Sequence, residues 1–485
     1  MINNILSLEP KVMWKYFHEI TKVPRPSKKE EQIRQYLVEF GKKFNLETIV
    51  DEVGNVLIRK NGTHGMEDHE IVILQSHMDM VCEKNSDIDF DFTKDPIKTR
   101  IEGEWVKATG TTLGADDGIG MAAALAILAS NDIPHPPIES LFTMDEETGL
   151  TGAFGLSDDL LKGRILLNLD SEDEGQIFIG CAGGRDTTAE LKVNFVDIVD
   201  KKSYRLEVKG LNGGHSGDDI NKGYANANKL INRILYEAVK TLNIDISYYD
   251  GGNLRNAIAR EAYAHIFIEA NKYDQLVSLA DKYLDIFKQE YHKTELNITV
   301  SISEIDDIKA KAFSKEDTQK ILNAVYACPH GVLAMSQDIK DFVETSTNLA
   351  SIKTNSKSGK VNFTTSQRSS VDSALDDACN MVAANFKMIG ADVEHSSGYP
   401  GWTPNPNSKI LEISKESYIS LFNKEPEVLA IHAGLECGLI GKKYPGMDMI
   451  SFGPTIKGAH SPDERIEIKT AQMFWEHLID ILKRI

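Results

Sequence analysis

Cysteine is scarce in this chain and is nowhere closely spaced. The 485 residues include five cysteines, and none of them forms a Cys-x-x-Cys pair. A disulfide framework and a thiolate zinc site both need cysteines in pairs or clusters. The scarcity therefore argues against both and favours a reducing compartment such as the cytosol.

Long apolar runs are also missing. No run approaches the roughly 18 apolar residues that a membrane-spanning helix needs. The first residues, MINNILSLEPKVMWKYF, lack the basic segment and the long apolar core of a secretory signal. We therefore expect a cytoplasmic protein without a membrane span.

Positive charge is in deficit. Lys and Arg number 54 against 73 Asp and Glu, so the formal net charge is -19. An electrostatic field of that sign repels phosphate backbones and anionic lipids. Nucleic acid and membrane surfaces are therefore poor candidates as partners. A concentrated set of carboxylates could instead recruit a cation, although most acidic residues only keep a protein soluble.

The chain is too long for one ordinary core, since domains average about 150 residues. Its first part alternates apolar strands with helices, which is typical of layered α/β domains. After about Gly184 the strands alternate apolar and polar residues, and the α/β pattern resumes near Gly398. We predict a mixed-sheet α/β domain formed by residues 1–185 and 398–485. An α+β domain with ferredoxin-like units is predicted to be inserted at residues 186–397.

The stretch ILQSHMDMV, residues 73–81, ends an apolar strand with polar side chains. His77 and Asp79 are two positions apart, and such residues of an extended chain point to the same side. Functional groups of layered α/β domains collect at the carboxyl ends of the strands. Other polar residues at apparent strand ends or in loops of the same domain are Asp116, Glu146, Glu147, Asp170 and the late His460.

Imidazole and carboxylate groups without thiolates suit zinc, cobalt or manganese. Two divalent ions about 3.5 to 4 Å apart need a bridging carboxylate, terminal ligands and room for a bridging water. Asp116 could bridge, although its neighbour Asp117 competes for that role. The terminal ligands could be His77 with Asp170 on one ion and Glu147 with His460 on the other.

The two remaining polar residues of this set could serve as an orienting group and a base. Asp79 could orient His77, and Glu146 could take the proton from a metal-bound water. Taken singly, a strand-end histidine is more often hydrogen-bonded packing, and an acidic loop is usually only solvated. The joint arrangement of all seven residues is what favours a metal centre.

Five strings carry a resemblance to a known family: SHMDMV, GADDGIG, MDEETG, NLDSED and GAHSPDE, in that order. They resemble the metal-binding motifs of the M20 metallopeptidase family. The strings TLGADDGIGMA, GLNGGHSG, GGNLRNAIARE and AIHAGLECG resemble its aminoacyl-histidine (Xaa-His) dipeptidase branch. The resemblance covers nearly the whole chain. It implies a zinc-peptidase-like catalytic domain, an inserted lid domain and two divalent ions per chain, with zinc expected first and cobalt or manganese as alternatives.

The resemblance also implies a role for each residue of the metal centre. Asp116 rather than Asp117 takes the bridging position, and relatives commonly hold the peptide bond between the two in cis. Asp79 takes the position of the orienting aspartate, and Glu146 that of the general base. Asp170 is more typical of dipeptidase and aminopeptidase branches than Glu would be. The implied ligands are His77, Asp116, Glu147, Asp170 and His460.

Further residues match positions that engage the substrate in the family. The resemblance implies that His215 stabilises the oxyanion of the reaction intermediate. It also implies that Asn256 and Arg368 bind the substrate, and the guanidinium of Arg368 suits bidentate binding of a carboxylate. Gly434 could keep the backbone close to the substrate, and Glu436 could contact its amino group. Structural alternatives stay open: His215 could be a glycine-loop residue, Arg368 an exposed ion-pair partner, and Glu436 a buried group that needs polar partners.

These expectations describe a cytosolic dipeptidase that forms a homodimer through the lid domain. It would hydrolyse Xaa-His and related dipeptides, including β-alanyl-histidine, through a water that bridges two metals. Another M20 amidohydrolase, such as a tripeptidase or an N-acyl amino-acid deacylase, is the alternative within the same class. A noncatalytic metal-dependent peptide-binding protein is the alternative from another class, and the presence of Glu146 speaks against it.

Overall fold

The structure is a computed structural model that describes residues 4–305 and 311–485. The chain divides into two compact units. The described residues of Met1–Gly180, Trp402–Ala430 and Leu435–Ile485 form the first unit, and those of Cys181–Gly401 and Ile431–Gly434 form the second.

The α-helices and strands follow one another in chain order, with short 3-10 helices at Ile5–Ser7 and Ala270–Lys272. Up to Cys181 they are α1 (Lys11–Ile20), α2 (Glu31–Lys43), β1 (Glu47–Val50), β2 (Val56–Lys60), β3 (Val72–His77), β4 (Thr99–Glu102), β5 (Trp105–Ala108), α3 (Ala115–Ala129), β6 (Ile138–Thr143), α4 (Glu146–Gly149), α5 (Thr151–Gly155), β7 (Ile165–Asn168) and β8 (Gln176–Cys181).

The next elements are β9 (Gly183–Lys192), β10 (Phe195–Asp197), β11 (Lys202–Lys209), α6 (Ala227–Leu242), β12 (Asp245–Gly251), β13 (Ala262–Ile268), α7 (Tyr273–Glu290), β14 (Thr299–Glu304), β15 (Lys311–Phe313), α8 (Lys315–Ala327), β16 (Gly331–Met335), β17 (Val343–Asn355), β18 (Lys360–Ser369), α9 (Asp372–Met388) and β19 (Asp392–His395). The last are α10 (Lys409–Phe422), β20 (Glu427–Ile431), α11 (Glu436–Lys443), β21 (Asp448–Ser451), β22 (Ile456–Lys457), β23 (Arg465–Glu467) and α12 (Ile468–Arg484).

The main sheet of the first unit has eight strands in the order β1-β2-β6-β3-β7-β21-β8-β20. Its central strands β6, β3, β7 and β21 run parallel, whereas β1 with β2, β2 with β6, and β8 with β21 pair antiparallel. Strands β3, β6 and β7 are buried along their whole length, as expected of parallel strands covered on both faces. The predicted mixed-sheet α/β fold class is confirmed.

Helix α3 packs against β3 and α1. Its sequence, ADDGIGMAAALAILA, is rich in alanine, and from Gly118 to Leu128 every residue is buried. Small side chains let the helix approach the sheet closely. A smaller sheet, in the order β22-β23-β5-β4, completes the strands of this unit.

The second unit is built on an antiparallel sheet in the order β14-β11-β13-β12-β17-β18-β9-β19, with β16 paired to β17. Alternate residues of β11, namely Tyr204, Leu206 and Val208, are buried. Helices α6, α7, α8 and α9 supply apolar side chains to the same core. The helix-on-sheet arrangement is of the α+β type, while its division into ferredoxin-like units stays a prediction.

No helix within residues 4–305 and 311–485 is long and apolar enough to cross a membrane.

Candidate active site

Three neighbouring parallel strands end at the same edge of the main sheet. His77 is the last residue of β3, Glu146 and Glu147 follow the end of β6, and Asp170 follows the end of β7. The carboxyl ends of parallel strands lie at the same edge of a sheet, so the polar residues that end or follow these strands form one cluster. Asp116 lies at the start of α3 and completes the residues contributed by this part of the chain.

The five predicted ligands lie together and are arranged around Asp116. Its Oδ1 atom lies 3.0 Å from His77 Nε2, and its Oδ2 atom lies 3.2 Å from His460 Nε2. His77 Nε2 is also 3.4 Å from Asp170 Oδ1, and His460 Nε2 is 2.9 Å from Glu147 Oε2. The Asp116 carboxylate therefore presents one oxygen to the pair His77 and Asp170. It presents the other oxygen to the pair His460 and Glu147.

The donor set of these two groups fits divalent cations. The possible ligand atoms of His77, Asp116 and Asp170 lie within 4.8 Å of one another, and so do those of Asp116, Glu147 and His460. Glu147 Oε1 is buried and has no hydrogen-bond partner among the described residues. Burying a carboxylate is costly unless a cation or donor compensates it. Nitrogen and oxygen ligands in this number suit zinc, cobalt or manganese.

The electrostatics of the cluster also favour positive charge. Hydrogen bonds to Asp116 and Glu147 raise the pKa of His460 to about 11. Burial raises the pKa of Asp170 to about 7, against the opposing charge of His77. Burial alone would raise the pKa of Asp116, but hydrogen bonds from His460 and His77 outweigh it and lower the pKa. His460 therefore holds a proton strongly while Asp116 stays ionised beside it, so this part of the cluster favours a positive charge.

Asp117, the competing candidate for the bridge, is directed elsewhere. Its peptide bond with Asp116 is cis, as the family resemblance implies. Asp117 Oδ1 accepts the N–H of Gly120 at 3.1 Å, close to the start of the regular part of α3. The geometry therefore favours Asp116 as the shared carboxylate.

Asp79 connects His77 with the loop after β6. Its Oδ1 atom lies 3.4 Å from His77 Nδ1 and accepts the N–H of Glu146 at 3.0 Å. Its Oδ2 atom accepts the N–H of Glu147 at 3.4 Å. These contacts leave Nε2 of the imidazole directed at Asp116 and Asp170.

Glu146 has the electrostatic surroundings of a proton acceptor. Burial raises the pKa of its carboxyl well above the ordinary value, and the negative charges of Asp170, Glu436 and Glu147 add to that rise. A raised pKa strengthens a carboxylate as a general base near neutral pH. A ligand atom of Glu146 also lies within 4.8 Å of ligand atoms of His77 and Glu147.

Sequence reasoning missed Glu464, which holds the backbone of the Asp116 loop. Its buried carboxylate accepts four successive backbone N–H groups. The donor nitrogens of Leu113, Gly114, Ala115 and Asp116 lie at 2.7, 2.9, 2.6 and 3.3 Å. The signal was present in GAHSPDE, where Glu464 follows the histidine by four residues.

Arg25 ties this loop to the end of β3. The guanidinium is buried, and its Nη1 atom donates to the carbonyls of Asp79 at 2.6 Å and Met78 at 3.3 Å. Its Nη2 atom donates to the carbonyl of Gly114. Gly114 has a φ of +68°, and a Cβ atom there would lie 2.5 Å from Arg25 Nη2. Glycine is therefore required where arginine and backbone meet.

Glu436 lies in the first unit and is fully buried. Its Oε2 atom accepts hydrogen bonds from Gln75 Nε2 and Thr143 Oγ1, both at 2.6 Å, whereas Oε1 has no partner among the residues described. Burial raises the pKa of this carboxyl to about 8. Glu436 thus has the polar partners that a buried group needs and one oxygen left for another donor.

The other predicted substrate-binding residues lie in the second unit. His215 Nδ1 is 3.2 Å from Asp218 Oδ2. The N–H of Ser216 donates to the carbonyl of Asn256 at 2.8 Å, so the loop of His215 pairs with the loop of Asn256. The side chain of Asn256 is exposed, and it lines one cavity together with His215.

Arg368 and Gly434 both lie close to the segment that carries His432. Arg368 Nη1 is 3.4 Å from the carbonyl oxygen of His432. A Cβ atom on Gly217 would lie in contact with that same oxygen, so the loop of His215 packs against this segment. The structure therefore brings His215, Asn256, Arg368 and Gly434 into one neighbourhood of the second unit.

The family model of peptidase family M20/M25/M40 matches residues 73–484, which include every residue of the candidate site described above except Arg25. The chain belongs to this family. It is 44% identical over 487 residues to the cytosol non-specific dipeptidase of Escherichia coli, covering 100% of this chain and 99% of that protein.

Solved structures agree with the family assignment. The crystal structure of aminoacylhistidine dipeptidase from Vibrio alginolyticus matches with a TM-score of 0.94 and 45% identity, covering 99% of this M20 peptidase and 98% of that chain. A tripeptidase from Staphylococcus aureus matches with a TM-score of 0.56 and 17% identity, covering 98% of each chain, and shows a shared fold.

The Glu464 contacts predict a loss of metal affinity when the carboxylate is replaced. A Glu464→Gln amide keeps the shape but offers one acceptor oxygen to four N–H donors. We expect metal affinity to fall about 10- to 100-fold and the free energy of unfolding to fall by about 1 to 3 kcal/mol. Metal content after dialysis against a chelator and thermal unfolding measure the two effects. Exposed Glu412→Gln is the matched control, and wild-type metal content in Glu464→Gln would contradict the expected role.

Proposed function

We propose that this M20 peptidase is a cytoplasmic dipeptidase that hydrolyses Xaa-His and related dipeptides, including β-alanyl-histidine. The observation that carries the proposal is the position of Asp116, which is shared by the pair His77 and Asp170 and the pair Glu147 and His460. The partly buried Glu146 lies beside them. The full-length similarity to two enzymes named as dipeptidases supports the substrate class.

Two divalent cations per chain, with zinc as the first choice, belong to the proposal. His77 and Asp170 would hold one cation, and Glu147 and His460 the other, with Asp116 shared. When bound, the cations would polarise the scissile carbonyl and lower the pKa of a water molecule between them. Asp79 would fix the orientation of the His77 imidazole through Nδ1.

Glu146 would carry the proton through the reaction. Its carboxylate would accept a proton from the attacking water and then donate it to the amine that leaves. Its buried surroundings, with three further carboxylates near, support the basicity that this task needs.

The remaining residues would recognise the two ends of a dipeptide. Arg368 would bind the carboxylate, His215 would donate a hydrogen bond to the oxyanion, and Asn256 would assist in binding. Gly434 would allow the protein backbone to lie close to the substrate. Glu436 would accept a hydrogen bond from the substrate ammonium group through Oε1. A free dipeptide is small enough to be bound at both ends, so longer peptides would be poor substrates. A homodimer formed through the second unit completes the proposal.

A substrate panel tests the reaction class. We expect turnover of β-alanyl-histidine and of several Xaa-His and Xaa-Gly dipeptides, with little on tripeptides and acetylated amino acids. Preference for tripeptides or acetylated amino acids would favour another M20 amidohydrolase. Tight binding of dipeptides by the metal-loaded protein without any turnover would refute the enzymatic proposal. Sedimentation of the purified protein gives its oligomeric state.

Replacing the proposed base should abolish most activity without emptying the metal centre. For Glu146→Ala we expect kcat on β-alanyl-histidine to fall by about 10²- to 10⁴-fold, since general-base catalysis contributes that much. Metal content should stay at the wild-type level because Glu146 is not among the proposed ligands. Unchanged hydrolysis in this variant would exclude Glu146 as the base.

The shared carboxylate predicts different metal stoichiometries for two aspartate variants. Asp116→Ala should lose both cations, whereas Asp170→Ala should keep the one held by Glu147 and His460. Elemental analysis after dialysis gives the number of ions bound. Chelator treatment should remove activity from the wild type, and separate addition of zinc, cobalt and manganese identifies the metal that restores it. Full metal content in Asp116→Ala would rule out its bridging position.

A further inference from the structure

Tyr399 lies directly against the backbone of two glycines of the second unit. A Cβ atom on Gly184 would lie 2.8 Å from Cζ of the tyrosine ring, and one on Gly434 would lie 2.7 Å from its Cε2. Both distances are shorter than carbon atoms tolerate, so any side chain at either position would displace the ring. The two glycines thus define the space that the Tyr399 ring occupies.

The backbone of Tyr399 is fixed as well. Its N–H donates to the carbonyl of Gly184 at 2.9 Å, and its carbonyl accepts the N–H of Gly184 at 3.0 Å. Gly184 lies in β9 directly opposite Arg368 of β18. Strand β9 pairs with β18 and, through Gly184, with the segment of Tyr399, and this pairing places the tyrosine beside the arginine.

The hydroxyl of Tyr399 contacts the guanidinium of Arg368. Arg368 Nη1 donates to Tyr399 Oη at 3.2 Å, and the carbonyl oxygen of His432 lies 3.4 Å from the same nitrogen. Arg368 is 8% exposed, and its Nε atom has no hydrogen-bond partner among the described residues. One nitrogen of the guanidinium is thus held by protein acceptors, while the edge formed by Nε and Nη2 suits a planar, bidentate ligand.

A phenol orients the arginine without neutralising it. Burial raises the pKa of Tyr399, and the nearby positive charge of Arg368 opposes that rise without reversing it. The hydroxyl therefore stays protonated and uncharged at neutral pH, so the arginine keeps its full charge for a ligand. A carboxylate in place of the hydroxyl would instead pair with the guanidinium and weaken its attraction for another anion.

We propose that Tyr399 is a positioning residue that determines the preference of this enzyme for substrates with a free C-terminal carboxylate. Its hydroxyl holds Arg368 Nη1 so that the Nε and Nη2 edge receives the two carboxylate oxygens. This inference rests on the proposed function, in which Arg368 binds that carboxylate. Gly434 then acts through the space it gives to the Tyr399 ring, which is a role distinct from direct contact with the substrate.

The test compares an Xaa-His dipeptide with its C-terminal amide in wild type and Tyr399→Phe. We expect KM for the free acid to rise about tenfold in Tyr399→Phe, as for the loss of one charge-assisted hydrogen bond. We expect kcat to change less than about twofold and KM for the amide to stay the same, because binding of the amide does not use the charge of Arg368. The acid-to-amide ratio of kcat/KM therefore falls about tenfold. Gly434→Ala, which displaces the ring, should lower the same ratio.

A matched control separates positioning from general stability. Tyr444 is a buried tyrosine of the first unit whose hydroxyl donates to the carbonyl of Ser157. Tyr444→Phe should lower the melting temperature and leave the acid-to-amide ratio unchanged. An equal fall of that ratio in this control would overturn the specific role of Tyr399.

Two further outcomes distinguish this inference from the proposed function. A wild-type enzyme that prefers the acid, with the preference fully kept in Tyr399→Phe and Gly434→Ala, would overturn the role of Tyr399 and leave the carboxylate grip of Arg368 in place. A wild-type enzyme that hydrolyses acid and amide equally well would overturn the carboxylate grip itself, and the role of Tyr399 with it.

Discussion

Four backbone N–H groups converge on one buried carboxylate, and the arrangement of the candidate metal centre depends on that interaction. Glu464 holds residues 113–116 in a conformation that the chain would not keep by itself, since Gly114 is left-handed and Asp116 departs from helical angles. Arg25 joins the same loop to the end of β3. Side-chain direction at His77 and Asp116 is therefore determined by the backbone contacts of two residues that do not belong to the ligand set.

Asp116 determines both the spacing of the two imidazoles and part of the negative charge between them. One oxygen faces each imidazole, so the spacing of the two groups is set by the size of a single carboxylate. Placing several carboxylates in a buried site costs free energy that cations, protons or hydrogen-bond donors must offset. Burial raises the pKa of Asp170 and of Glu146, with neighbouring carboxylates adding to both rises, and hydrogen bonds to Asp116 and Glu147 raise the pKa of His460.

The sequence predicted the fold class because its signals were local. Apolar strands that end in polar residues indicated both the mixed sheet and the edge where side chains collect, and the family motifs supplied the residue that lies far along the chain, His460. Glu464 and Tyr399 were missed, since their roles depend on backbone N–H groups and ring packing that no side-chain pattern encodes. Asp117 could not be separated from Asp116 by spacing alone. The assignment of ligands, base and substrate contacts stays a prediction.

The strand order of the first unit also constrains how the chain folds. Strand β21, at Asp448–Ser451, lies between β7 and β8, although both of those strands come from the first 181 residues. Until β21 has been synthesised, the amino-terminal part of the chain would expose unpaired strand edges at the middle of its own sheet. Such pairing over almost 300 residues slows folding, because loop-closure entropy is lost before the contact forms. The edges of β7 and β8 in a nascent chain of this protein therefore stay without their native partner until residues 448–451 have been synthesised.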